Sequence, residues 1–142
     1  MTPATHERPR GVLLGFDFGT RRIGTAVGQR ITATAHPLDT IRVQHDRPDW
    51  EAIAALMARW QPEAAVVGLP LNMDGSEQAI TARARRFSRQ LNGRFGVPVH
   101  LMDERLSTRE AARRLEDDGR PVTHLDPHAA AIILETWLNA NA

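Results

Sequence analysis

Four acidic residues in this 142-residue chain sit where an apolar run ends or a helix is due to start. Asp17 lies near the end of Gly11 to Phe18 (GVLLGFDF), where an aspartate is costly to bury without a partner. Asp103 and Glu104 follow directly on a second apolar run, Val97 to Met102, and Asp126 precedes Pro127. Carboxylates brought together repel one another and raise their own pKa values. Hard divalent cations relieve that repulsion: Mg²⁺ prefers oxygen ligands and is commonly held by a few carboxylates plus substrate phosphates. Two such ions about 3.5–4 Å apart activate water and stabilise the leaving oxygen of a phosphodiester. The chemistry these residues point to is metal-assisted phosphodiester hydrolysis, with Mg²⁺ or Mn²⁺, in a pair, as the cofactor.

Each acid also has a plainer reading. Asp103 and Glu104 could be surface acids, or could pair with Arg105. Strand side chains alternate between faces, so only one of the two is expected to point into a site. Asp126, before a proline, is an ideal helix N-cap, and that alone would explain it.

The elements must bring these acids together. Gly11 to Phe18, Ile23 to Gly28 and Ile31 to about Ile41 read as three strands joined by short turns, an antiparallel meander. The period then changes. Pro48 suits a first helical position, and Trp50, Ile53, Met57 and Trp60 recur at helical spacing until Pro62. Ala64 to Leu69 (AAVVGL) is an apolar strand, Pro70 to Gly75 a loop, about Ser76 to Arg94 a helix, and Val97 to Met102 a fifth strand. Ser107 to Glu110 has capping-box spacing for a helix that Gly119 stops, and a last helix starts at Asp126. The fold class is α/β: a mixed five-stranded sheet, antiparallel over strands one to three and parallel over strands one, four and five, flanked by helices. Ligands of such sheets gather outside the carboxyl ends of the parallel strands, the edge that receives Asp17, Asp103 and Glu104. Asp126 can return to it. The helix before it carries the chain away by roughly 18 Å, and Gly119 to Leu125 can span about 23 Å.

Charge is informative by type. All 18 basic residues are arginine, and the net charge is only +1. Arginine-rich codon usage accounts for this as well as function does, so position must decide. Arg21 and Arg22 fall in the turn beside Asp17, and Arg105 beside Glu104. Arg83, Arg85, Arg86 and Arg89 share a helix, with Arg85 and Arg89 on one face. Arginines so placed suit phosphate and would give salt-dependent, sequence-independent affinity. Asn72, in the loop after the fourth strand, can donate to a phosphate or base. Aromatic residues are only 5%, and Trp50, Trp60 and Trp137 lie on inward stripes, so a base-stacking platform is poorly supported.

The segments GFDFGTRRIGTAVG (15–28), VVGLPLNMDGSEQ (66–78), TARARRF (81–87), DERLST (103–108) and LDPHAAAIILE (125–135) resemble, in order, those of the YqgF family, also called RuvX. That family is described as pre-16S rRNA nucleases and earlier as Holliday junction resolvases. The resemblance implies an RNase H-like fold and a divalent-metal nuclease of ribosome maturation. It implies catalytic roles for Asp17, for the pair Asp103-Glu104 with Glu104 favoured, and for Asp126, with metal held by Asp17, Glu104 and Asp126. It also strengthens the phosphate reading of Arg21, Arg22, Arg85, Arg86, Arg89 and Arg105. Pro127 and His128 depart from the small residues usual after the last acid. His128 could contact metal or phosphate, or be a solvated side chain.

Other functions are weighed against this one. The segment Gly15 to Thr20 also looks like the phosphate loop of actin-type ATPases, but those close two lobes on nucleotide and this chain has the length of one domain. A four-way DNA junction resolvase would use the same acids in a dimer, and a non-catalytic nucleic-acid-binding module would have little use for them. The expected partner is RNA, pre-rRNA in or out of a pre-ribosomal particle, with branched DNA as the alternative, acting as a monomer or weak homodimer. Without cysteine there is no disulfide framework, thiolate metal site or cysteine nucleophile. Residues 1–10 read as a flexible tail with no secretory h-region, and residues 11–142 as a single domain. No run approaches the ~20 apolar residues of a membrane span, so no membrane partner and a cytoplasmic location are expected.

Overall fold

The computed structural model describes residues 11–106 and 126–141, with the side chains of 126 and 127 outside that description. The expected tail at 1–10, the capping box and helix from Ser107, and the loop at 120–125 lie outside the described residues. Among the described residues six strands form one sheet: β1 Val12–Phe18, β2 Arg22–Gln29, β3 Thr34–Gln44, β4 Arg47–Pro48, β5 Ala64–Leu69 and β6 Val99–Asp103. Their order across the sheet is β4-β3-β2-β1-β5-β6. β1 pairs antiparallel with β2 and parallel with β5, which is parallel to β6. This is the expected mixed sheet with one extra, very short strand.

Three helices are described: α1 Trp50–Trp60, α2 Ala79–Phe95 and α3 Asp126–Ala140. Strand alternation sends side chains to two cores. Leu14, Phe16, Ile23 and Val67 pack with Ile53 of α1 and Phe87 and Leu91 of α2. Leu13, Ala26, Val66 and Met102 pack on the other face with Ala130, Ile133 and Leu134 of α3. The sheet is therefore sandwiched, with α3 on one side and α1 and α2 on the other.

Four boundaries differ from the sequence reading, each for a local reason. The third strand begins at Thr34 because Ala33 takes a left-handed φ of 53°; Ile31, despite its β-branched side chain, is 91% exposed in the turn. Pro48 is not helical: it pairs with Val43 in β4, and Asp49 caps α1 by accepting from the Ala52 amide at 3.2 Å. Ser76 belongs to the preceding loop, and α2 starts after a capping box between Gln78 and Thr81. The last described strand starts at Val99, after Pro98, and takes in Asp103, whose Cα is registered opposite Leu69.

Candidate active site

Strand parity places the acids. Leu13 faces α3; a Cβ added at Gly15 would stand 2.8 Å from Leu134 Cβ and 3.0 Å from the Ala130 carbonyl. Asp17 is the next β1 position on that face. On β5, Val66 faces α3, and a Cβ at Gly68 would stand 2.5 Å from Ile133 Cδ1. Extending the β1–β5 register one step past Phe16↔Val67 puts Asp17 beside Gly68. On β6, Met102 faces α3 and His100 stacks on Trp137 with ring centroids 4.6 Å apart. Glu104 is next in parity, and its amide donates to the Leu69 carbonyl at 3.1 Å, continuing the ladder. Its Cγ and Cδ lie 2.9 and 3.1 Å from the Cβ position of Gly68. Glu104 thus covers a bare glycine immediately beside Asp17.

The direction of α3 follows from two glycines. Gly28, registered with Leu13, faces Leu134 and Leu138, whereas Gly15 faces Leu134 and Ala130. The helix therefore runs with its amino end toward the carboxyl end of β1. Asp126 begins the helix one turn before Ala130, about 6 Å along the axis, and Asp17 lies about 6.6 Å beyond Gly15. The backbone of Asp126 accordingly stands at the Asp17–Glu104 edge. His128 is half-buried in the same first turn. Among the described residues no group of three potential metal ligands assembles; the third acid of the expected trio is Asp126.

Asp103 is held by Arg105. Of opposite parity to Glu104, it accepts from Arg105 Nη2 at 2.7 Å and Nε at 3.0 Å, and from the Arg105 amide at 2.9 Å. The Arg105 hydrogen bond, ahead of burial, which opposes it, holds the Asp103 carboxyl below the usual carboxylate range and the guanidinium above its own. Arg105 also donates to the Met73 carbonyl at 3.2 Å and lies against Gly75, whose φ of 90° suits glycine. In that loop Asn72 donates to Ser76 Oγ at 2.9 Å, and Ser76 donates from its amide and hydroxyl to Asp74, which lowers the Asp74 pKa. The Thr81 hydroxyl ties the loop base to the Pro70 carbonyl. Arg105 is a latch between the end of β6 and a loop that Asn72 helps to build.

Replacing Arg105 by alanine has a signed pH signature. A carboxyl whose folded pKa is depressed contributes stability above its unfolded pKa, and that contribution disappears as pH falls through the folded value. The wild-type advantage over Arg105→Ala should be constant from neutral pH to about 5 and close below about 4. Its size should be small, because solvent screens a pair whose side chains are 35% and 26% exposed. Urea denaturation of both proteins across that range measures it.

The arginines divide by face. Arg21 and Arg22 are exposed in the turn and at the start of β2, close to Asp17. Those of α2 lie across the sheet from the acids. There Arg85 pairs with Glu77 at 3.0 Å, and Arg85 and Arg89 line one groove with Leu101, as their spacing requires. Arg86 borders a small cavity with Phe18 and Asp46. The sequence reading missed Gly68. A glycine inside the apolar strand AAVVGL is the available signal, since such a residue marks close approach of another group.

A mixed sheet of this strand order, packed under a helix that closes one face, is an RNase H-like architecture. Solved structures share the fold: RuvC from Thermus thermophilus in complex with a Holliday junction substrate superposes with a TM-score of 0.58, at 21% identity, covering 93% of this chain and 96% of that one. Fowlpox virus resolvase with Holliday junction DNA gives 0.57 at 12% identity, over 92% and 98%. The RuvX family profile, described as Holliday junction resolvase, matches residues 11–140. Proteins named "Putative pre-16S rRNA nuclease" from Klebsiella pneumoniae and Escherichia coli O157:H7 are each 55% identical over 131 residues, 89% of this chain and 95% of theirs. The chain belongs to the RuvX family and is a nuclease, a hydrolase of phosphodiester bonds.

Proposed function

We propose that residues 11–142 form one divalent-metal-dependent endonuclease domain that cuts RNA and processes the 5′ end of pre-16S rRNA in the cytoplasm, as a monomer or weak homodimer. The observation that carries this reading is the Glu104 carboxyl folded over Gly68 beside Asp17. The names of the 55% identical relatives support RNA as the substrate. Among the described residues no helix is long and apolar enough to cross a membrane.

The donor set fits a hard cation. Asp17 and Glu104 offer oxygen ligands on one face, the missing Cβ of Gly68 leaves room between strand and helix, and no thiolate competes. Asp17, Glu104 and Asp126 would hold Mg²⁺ or Mn²⁺, two ions in the full site. Bound there, the ions supply Lewis-acid stabilisation of the leaving oxygen and a water acidic enough to attack at neutral pH. Arg21 and Arg22 would hold phosphate next to Asp17. Asp103 keeps Arg105 in place, and through it the loop of Asn72, so that Glu104 leaves β6 at a fixed angle. Arg85, Arg86 and Arg89 would meet only the outer part of a large substrate.

The solved RuvC bound to a Holliday junction keeps a second reading in view, cleavage of four-way DNA junctions. Purified protein should be given a precursor 16S rRNA fragment and a four-way DNA junction, with Mg²⁺ or Mn²⁺ and then with EDTA. Cleavage of the RNA alone is expected, falling to background in EDTA and returning with excess Mg²⁺. Junction cleavage without RNA cleavage would favour the second reading. Activity indifferent to EDTA, or retained by Asp17→Asn, would remove the metal site from the account.

A further inference from the structure

Beyond the acidic cleft, the β2–β3–β4 end of the sheet carries further arginines on the Asp17 face. Arg22 and Arg42 are direct partners in the antiparallel register, and like charges directly opposite destabilise a strand pair. Both share the face of Asp17: Asp17 is registered with Gly24, and Gly24 with Thr40, so the two arginines form the next row outward. Val43 and Pro48 pair with both side chains buried, which turns Gln44 and its partner Arg47 to the Asp17 face as well. Arg42, Gln44, His45 and Arg47 line an open groove with Pro48 and Asp49.

The acids around this groove are engaged elsewhere. Asp46 pairs with Arg83, and Asp49 caps α1. Among the described residues no carboxylate pairs with Arg42 or Arg47, and both are exposed. The hairpin tip is fixed in an unfavourable backbone, with His45 and Asp46 at φ 52° and 62°, a conformation non-glycine residues adopt sparingly. Arg42 and Arg47 thus present two guanidiniums to one open groove whose own acids are engaged elsewhere.

We propose that Arg42 and Arg47 bind the phosphates of the RNA strand flanking the cut, forming a row that leads outward from Asp17 across β3 and β4. The proposal rests on the nuclease reading above. Strand spacing and rise set Arg42 about 12 Å and Arg47 about 20 Å from Asp17 between Cα atoms. That is too far for the scissile phosphate and suitable for neighbouring nucleotides.

The test uses fluorescence anisotropy with a fluorescein-labelled precursor 16S rRNA fragment and versions trimmed from either end, in the cleavage-impaired Glu104→Gln protein. Arg42→Gln and Arg47→Gln should each weaken binding about five- to tenfold near 0.1 M salt and lower the slope of log affinity against log salt by roughly 1. Arg42→Lys should keep the slope. On the probe trimmed of one flank the differences should vanish. Arg42→Gln should also unfold at an unchanged urea concentration, because no described carboxylate pairs with Arg42; a merely structural arginine would lower it. If the double variant binds with unchanged affinity and slope while the wild type cuts the RNA, the inference is wrong and the nuclease reading stands. Equal losses on every probe length would also overturn it, by placing the arginines at the cut. A wild type that neither binds nor cuts the RNA overturns the nuclease reading and this one with it.

Discussion

Glu104→Gln is expected to leave a fully folded protein whose single-turnover cleavage of RNA is slower by on the order of 10²–10³. The substitution keeps the volume and shape of a side chain that lies against Gly68, so packing is undisturbed. What it removes is one anionic oxygen from a pair of acids held on the same face. Because the substitution is isosteric, urea denaturation in EDTA should show the variant about as stable as the wild type. Activity then falls without a matching loss of stability, as expected of a residue retained for chemistry. Asp17→Asn should behave in the same way, whereas Asp103→Asn should show a much smaller rate loss because Asp103 faces Arg105. A Glu104→Gln enzyme with near-wild-type rates would mean that the carboxylate over Gly68 is not part of the reaction.

The second large effect is expected from a methyl group. In Gly68→Ala the new Cβ would stand 2.5 Å from Ile133 Cδ1 and 2.9 Å from Glu104 Cγ. The Ile133 methyl is the end of a flexible side chain and can turn aside, so the stability cost should stay within the range of about 1–3 kcal/mol seen for overpacked cores. Glu104 has less freedom, because its backbone is tied to Leu69, and its carboxyl must leave the position beside Asp17. A misplacement of about 1 Å can cost 10²-fold in rate, and a loss of that order is predicted at a temperature where the variant remains folded. Gly15→Ala makes the comparison useful. Its clash is with Leu134 Cβ and the Ala130 carbonyl, which are helix backbone and stem, so its unfolding midpoint should drop further. If Gly68→Ala cuts RNA at the wild-type rate, the glycine is there only for packing.

The fold was legible wherever burial on both sides or one side of a strand left a clean pattern. GVLLGFDF and AAVVGL announce the central parallel pair, and period-2 alternation alone requires that Asp103 and Glu104 diverge. Pro48 shows where such reading fails. Proline at the head of an apolar-periodic stretch is a good helix start, yet here the hairpin at His45–Asp46 takes it into an edge strand and leaves Asp49 to cap. That turn has no glycine, so nothing local announces it; pairing of Val43 with Pro48 imposes it. The site shows the same division. Which acids end the strands was readable from the sequence, where a carboxylate closing an apolar run is costly without a partner. Their meeting point was not, because the contact of Glu104 with Gly68 depends on the registers of β1, β5 and β6 together. The opposition of Arg22 and Arg42 is hidden for the same reason, twenty residues apart in sequence and adjacent only in the ladder.

α3 covers the face of the sheet on which the acids lie, and it packs on strands made from the other end of the chain. Contacts between such distant segments form late, since the loop they close must be ordered first. During synthesis the first strands can therefore pair while the surface of Leu13, Ala26 and Val66 still waits for its lid of Ala130, Ile133 and Leu134. A partial product of translation would lack its cover on this face of the sheet, because that cover comes into being only when the closing helix is delivered.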